Sequence, residues 1–122
     1  MQHFLILLAA ILIPTTALSE DVYLVPVSGT IEKGLAAFID RVMAEAEADN
    51  VDAVIVEIDT PGGALDAALV IRDALLYSEV KTIAFINPRA ISAGALISFA
   101  TDHIVMSDGG TIGAATAVDM QG

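Results

Sequence analysis

The chain reads as an α/β protein built on a parallel sheet, and three observations predict this. Short runs rich in β-branched and apolar residues alternate with longer segments whose apolar residues recur at helical spacing. The strand-like runs are close to continuously apolar, the pattern of strands buried in a parallel sheet. The connections between them are short and carry Gly, Pro, Asp or Asn. The resulting order, β-α-β-α-β-α-β, calls for right-handed crossovers.

Each element has its own signal. Val22 to Val27 is a strand, and Pro26 within it marks a sheet edge or strand end because proline cannot donate to a ladder. After the turn Ser28-Gly29-Thr30, the residues Leu35, Phe38, Ile39, Val42, Met43 and Ala46 form one apolar helix face. Asp40, Arg41, Glu45, Glu47 and Asp49 lie on the other face, and the helix ends near Asp49-Asn50. Ala53 to Ile58 is a β-branched run interrupted only by Glu57, expected to be covered on both faces. Beyond Pro61-Gly62-Gly63, a second helix is marked by Leu65, Ala68, Leu69, Arg72, Leu75 and Leu76. Val80 to Ile86 is a third strand, Ser92 to Ala100 a short helix, and His103 to Met106 a last strand before Asp108-Gly109-Gly110-Thr111-Ile112-Gly113-Ala114-Ala115.

At 122 residues there is room for one domain at most. With 56% hydrophobic and 17% charged residues the composition is that of a folded chain, not a disordered one. The net charge of −11, from 5 basic and 16 acidic residues, argues against nucleic acid and against a polybasic grip on anionic lipid. The absence of cysteine excludes a disulfide framework, a thiolate nucleophile and Cys-based metal sites. No Asp/Glu/His group has metal-ligand spacing, and the glycines match no phosphate cradle, so neither metal nor cofactor is expected.

Phe4 to Ile13 is an uncharged apolar run, followed by Pro14 and then Ala17-Leu18-Ser19, with small residues where a signal peptidase cuts. The run is short for a membrane span. Residues 1–19 are therefore expected to be a cleaved export signal or, alternatively, an uncleaved anchor, with residues 20–122 forming a partial domain. Export directs the domain to the periplasmic or extracytoplasmic side. The closing stretch Val118-Asp119-Met120-Gln121-Gly122 has neither a helix cap nor a strand pattern, which suggests a domain incomplete at its C-terminus.

Two segments carry candidate chemistry. Pro61-Gly62-Gly63 follows a strand, and paired glycines there let backbone N–H groups approach a ligand or an oxyanion. An ordinary strand-to-helix turn has the same composition. Ser92, in Arg89-Ala90-Ile91-Ser92-Ala93-Gly94, stands at a helix start, as a nucleophile or as an N-cap. The N–H of Ala93 is a second oxyanion donor candidate. Bases are few. His103 reads as structural or surface, His3 falls in the leader, and Lys33 and Lys81 open elements where exposure is expected. Asp59 would oppose an oxyanion and is expected to bond loop N–H groups, pointing away. Ser98 reads as packing.

Five ordered segments, Val27-Ser28-Gly29-Thr30-Ile31, Ile58-Asp59-Thr60-Pro61-Gly62-Gly63, Asn87-Pro88-Arg89-Ala90-Ile91-Ser92-Ala93-Gly94-Ala95, Asp102-His103-Ile104-Val105-Met106 and Thr111-Ile112-Gly113-Ala114-Ala115, together resemble the protease domain of NfeD-type membrane-bound serine proteases of the Clp-protease class. The resemblance implies a Clp/crotonase-like fold of repeated β-β-α units. It implies Ser92 as nucleophile and an oxyanion hole from Gly62, Gly63 and the N–H of Ala93. It further implies a lysine base several dozen residues beyond the serine, past Gly122, and substrates that are hydrophobic segments of membrane proteins such as stomatin-like partners. Related folds self-associate, so a homo-oligomer is one expectation. A non-catalytic scaffold on the same fold is the alternative, and an acyl-CoA enzyme on this fold is disfavoured by the export signal.

Overall fold

A computed structural model describes residues 18–116. The leader reading over Phe4 to Ile13 and the closing stretch from Val118 lie outside the described residues. The order is β1 (Val22–Ser28), α1 (Lys33–Ala48), β2 (Ala53–Thr60), α2 (Leu65–Leu76), β3 (Lys81–Ile91), α3 (Ala93–Phe99), β4 (His103–Met106) and β5 (Thr111–Gly113). The strands form one sheet in the order β1-β2-β3-β4, with β5 pairing to β3, and every pairing is parallel. The α/β parallel-sheet class is as the sequence predicts. Pro26 sits on the edge strand β1, where its missing N–H costs no ladder bond.

The strands are laid down in sequence order, so every crossover steps the same way. Right-handed connections then put α1, α2 and α3 on one face of the sheet. There α1 packs on α2 and α2 on α3. Val25, Val27, Val54, Val56, Ile58, Ala84 and Ile86 point into this layer and meet Ile39, Met43, Ile71, Leu75 and Ile97. Val27, Ile39, Ile58, Ile71 and Ile86 are fully buried. Each contributes about 1.5–3 kcal/mol to holding sheet and helices together.

This corrects the expectation that β2 is covered on both faces. Its residues alternate between buried and half-buried, with Ile55, Glu57 and Asp59 on the face opposite α1, α2 and α3, which carries no helix among the described residues. The run looked continuous because Ile55 is apolar on the open side. Leu24 and Val105 are also on that side, 64% and 51% exposed.

A second difference lies in β3, which runs on through Pro88 to Ile91. Its pairing with β2 passes from Ile58↔Ile86 to Thr60↔Ala90, so extra residues bulge from β3 around Pro88. A bulge accommodates a proline and bends the strand. Past the bend, Arg89, Ala90 and Ile91 pair with the short strand β5, which the glycine-rich stretch after Met106 did not reveal.

Helix α1 is capped by Glu32, whose carboxylate accepts the N–H groups of Gly34 (2.8 Å) and Leu35 (2.7 Å). Those two bonds, Gly34's first, hold its pKa below the ordinary carboxylate value. A pKa lowered on folding adds stability above the unfolded value, and that stability is lost as pH falls through the folded one. Comparing Glu32→Gln with the parent by thermal melts, we expect the parent's advantage to be full at neutral pH and to vanish on the acid side of the carboxylate range. A pH-independent difference between the two would remove the cap from this role.

Candidate functional site

In open parallel sheets, ligand and reaction sites form at the C-terminal ends of the strands. Here that end gathers the turn after β1 (Gly29 to Ile31), the turn after β2 (Pro61 to Ala64) and the bend of β3 leading into Ser92. Gly62 is what lets them meet. Its φ is +107°, and a Cβ there would lie 2.9 Å from the Ser92 Cβ and 3.4 Å from the Ala93 nitrogen. The Pro-Gly-Gly turn and the serine, 30 residues apart in the chain, are therefore in van der Waals contact.

Ser92 occupies the N-cap position of α3, but its side chain makes no capping hydrogen bond. Its backbone adopts φ 54°, ψ −117°, a region that residues with a Cβ rarely occupy. The conformation is held from several sides. Ser92 N–H donates to the Gly113 carbonyl at 2.8 Å, and the Ser92 carbonyl accepts from Ala95 at 2.9 Å. The side chain is half-buried. A capping serine would have extended backbone and a hydroxyl spent on helix N–H groups. This one has neither.

The backbone donors divide. Gly62 N–H is already taken, donating to the Thr60 hydroxyl at 3.1 Å. Gly62 thus contributes space rather than a free donor. The Gly62 carbonyl accepts from Ile31 N–H at 2.9 Å, and Ala64 N–H donates to the Ile31 carbonyl at 2.9 Å. Among the described residues, the N–H groups of Gly63 and Ala93 donate to no protein acceptor.

The charged residues are distributed otherwise than the sequence suggested. Asp59 does turn from the glycine loop, but its carboxylate accepts from Arg89 Nε at 2.9 Å in place of loop N–H groups. Beside it, Asn87 donates to Glu57 at 3.0 Å. Both pairs lie on the open face, across the bulge of β3. Sequence reading missed them because they depend on the bend at Pro88. His103 is exposed and pairs with Ile83 near the start of β3. Lys81 opens that 11-residue strand, roughly 30 Å from Ser92 along an extended chain. Lys33 stands at the site's end of the sheet but is exposed and 3.9 Å from Asp66. No histidine or lysine among the described residues is both buried and beside Ser92. Ser98, fully buried, donates to the Gly94 carbonyl at 2.7 Å, a packing role. Among the described residues no cluster of His, Asp or Glu could hold a metal ion.

Several known proteins are similar to this chain in sequence and fold. The family described as NfeD1b, N-terminal domain, matches residues 21–122. Membrane protein NfeD1b of Bacillus subtilis is 40% identical over 119 residues, which is 98% of this chain and 27% of that protein. Membrane-bound protease PH1510 of Pyrococcus horikoshii is 36% identical over 96 residues, 76% of this chain and 22% of that protein. The chain thus spans about a quarter of the length of the curated relatives it matches. The solved 1510-N membrane-bound stomatin-specific protease of Pyrococcus horikoshii, as a serine-to-alanine mutant, superposes with a TM-score of 0.77 at 33% identity, over 83% of this chain and 51% of that one. ClpP1 from Listeria monocytogenes, at 23% identity and a TM-score of 0.62 over 64% of this chain and 46% of its own, shares the fold. The fold is therefore Clp-like, and with a family match that runs from Asp21 through the Ser92 bend to Gly122, the chain belongs to the NfeD1b N-terminal domain family.

Proposed function

We propose that this chain is part of the protease domain of a membrane-bound serine endopeptidase, with Ser92 as nucleophile. The observation that carries the reading is the state of Ser92: strained backbone, uncapped hydroxyl, closeness to Gly62 and an Ala93 N–H beside it that meets no acceptor among the described residues. Such strain persists only where the surroundings over-determine it, and it clusters at reacting groups. In the reaction, Ser92 Oγ attacks the peptide carbonyl carbon and its proton passes to a base. The carbonyl electron pair moves onto oxygen, and the N–H groups of Gly63 and Ala93 receive that oxyanion, with Gly62 keeping the approach open. Collapse expels the amine, which takes the proton from the base. Water then releases the acyl group from Ser92.

The base in this reading is a lysine outside residues 18–116, beyond Gly122 in a longer protein. It must be desolvated to be neutral near physiological pH, whereas Lys33 and Lys81 are both exposed at the surface. The substrates are hydrophobic segments of membrane proteins, of the stomatin-like kind named for the archaeal relatives. Residues 1–19 deliver the domain to the extracytoplasmic face as a signal or anchor. Among the described residues no helix is long and apolar enough to cross a membrane.

Cleavage of an internally quenched apolar peptide by the full-length protein tests this. Ser92→Ala is expected to lower kcat by about 10⁴-fold or more, and the 122-residue chain alone is expected to be inactive. Cleavage that survives Ser92→Ala would sink the nucleophile assignment. Activity in the short chain would sink the external base. A full-length protein that neither cleaves nor reacts with a fluorophosphonate would favour a scaffold.

A further inference from the structure

Thr60, the last residue of β2, is one of three buried polar residues among those described, with Thr82 and Ser98. The other two are occupied inside single elements or strand ends. Thr82 bonds Asp102, and Ser98 bonds its own helix. Thr60 differs because its side chain touches three separate segments. Its Oγ1 lies 2.5 Å from the Gly29 carbonyl in the turn after β1 and 3.1 Å from the Gly62 nitrogen. Its Cγ2 fills the place a Cβ on Gly94 would need, 2.5 Å away, in the first turn of α3.

A hydroxyl has one proton to give. Gly29 offers the short acceptor and takes it, so an Oγ1 lone pair is left for Gly62 N–H. The more distant Gly62 carbonyl, at 3.4 Å, is instead served by Ile31 N–H at 2.9 Å. Thr60 therefore fixes the Pro61–Gly62 peptide plane, and Ile31 fixes the next one. In a planar trans peptide the N–H lies opposite the carbonyl. With the Gly62 carbonyl held toward Ile31, Gly63 N–H is directed away from Ile31 and meets no acceptor among the described residues. Two successive glycines would otherwise let these planes turn freely.

Resting on the serine-peptidase reading, we infer that Thr60 is the positioning residue of the oxyanion hole. Its hydroxyl ties Gly62 N–H to the Gly29 turn and so holds the loop in the position from which Ile31 can aim Gly63 N–H, while its methyl packs on Gly94 in the first turn of α3. It touches no reacting atom. Its effect is on where the Gly63 donor stands when negative charge develops, so it belongs to kcat rather than to substrate binding.

The test compares Thr60→Val and Thr60→Ser in the full-length protein, with an internally quenched apolar peptide as substrate and a peptide boronate as a tetrahedral mimic. Thr60→Val keeps the shape and removes the hydroxyl. We expect kcat to fall by about 10²-fold, the loss typical of one oxyanion donor, with KM within about twofold and boronate Ki rising as kcat falls. Thr60→Ser keeps the hydroxyl and should retain kcat within about threefold of the parent, since it loses only the methyl contact. Equal kcat in Thr60→Val and parent overturns the inference, as does a Thr60→Ser enzyme as slow as Thr60→Val. A loss in Thr60→Val carried wholly by KM also overturns it. If Thr60→Val does not fold, Thr60→Ala removes the same hydroxyl without filling space and is held to the same outcomes. Cleavage that persists in Ser92→Ala overturns the peptidase reading itself, and this inference with it. Ser92-dependent cleavage that ignores Thr60 overturns the inference alone.

Discussion

Gly63→Ala is expected to destabilise the domain by about 3–5 kcal/mol and to abolish any activity that depends on its turn. Gly63 is exposed and its φ is unexceptional, so nothing in the loop itself forbids a side chain. The obstacle is Ile31, which forms an isolated parallel bridge with Gly63. A Cβ on residue 63 would fall onto the Ile31 carbonyl oxygen, 2.6 Å from its nitrogen and 2.8 Å from its carbonyl carbon. These are backbone atoms and have no rotamer to retreat into. Relief requires the two turns to part, which breaks Ile31 N–H to Gly62 and Ala64 N–H to Ile31. It also unseats the Ile31 side chain, which is fully buried. Two hydrogen bonds at about 1 kcal/mol each and an overpacking cost of about 1–3 kcal/mol give the stated range. That is a large fraction of the ~5–15 kcal/mol that holds an ordinary domain together. The denaturant midpoint measures it. A loss under about 1 kcal/mol would mean that the two turns separate easily and that the bridge does not define the site.

Ser92→Gly is expected to do opposite things to activity and stability. Activity falls about 10⁴-fold or more with the hydroxyl gone. Stability rises by about 1 kcal/mol, because glycine adopts φ 54°, ψ −117° without the strain of about 1–3 kcal/mol that a Cβ carries there. The greater freedom of glycine in the unfolded chain offsets part of that gain. Ser92→Ala is the informative control. It loses the same activity but keeps the Cβ, so its melting should stay close to the parent's. The expected order of thermal midpoints is Ser92→Gly above a near-equal parent and Ser92→Ala. If Ser92→Gly melts below Ser92→Ala, the backbone at residue 92 is not strained. The site would then lose the feature that separates a nucleophile from a cap.

Much of this fold is legible along the chain. The helix over Lys33 to Ala48 and the strand from Ala53 follow from periodicity and β-branched content, signals that act over a few residues. The Glu32 cap was not read, because glutamate is not among the favoured capping residues and only its reach to Gly34 and Leu35 qualifies it. The continuation of β3 past Pro88 was not read either. Proline argues against a strand interior, and the bulge that tolerates it shows only in the register with β2. Thr60 did carry a local signal. A threonine two residues before a glycine can accept that glycine's N–H as a side-chain turn. The stronger part of its role is the bond to Gly29, 31 residues away, which no local pattern contains.

The sequence by itself determined the alternation of strands and helices, the acidic surface and the candidacy of Ser92 beside a glycine pair, because propensity, periodicity and turn chemistry are local. Only the tertiary structure decided that Ser92 is an uncapped, strained residue rather than an N-cap. It also decided that, among the described residues, Gly62 gives space while Gly63 N–H meets no acceptor, and that α1, α2 and α3 share one sheet face. Those outcomes depend on where the turns after β1 and β2 and the bend in β3 come together. The hydrogen bonds and steric contacts that join them link residues some thirty positions apart.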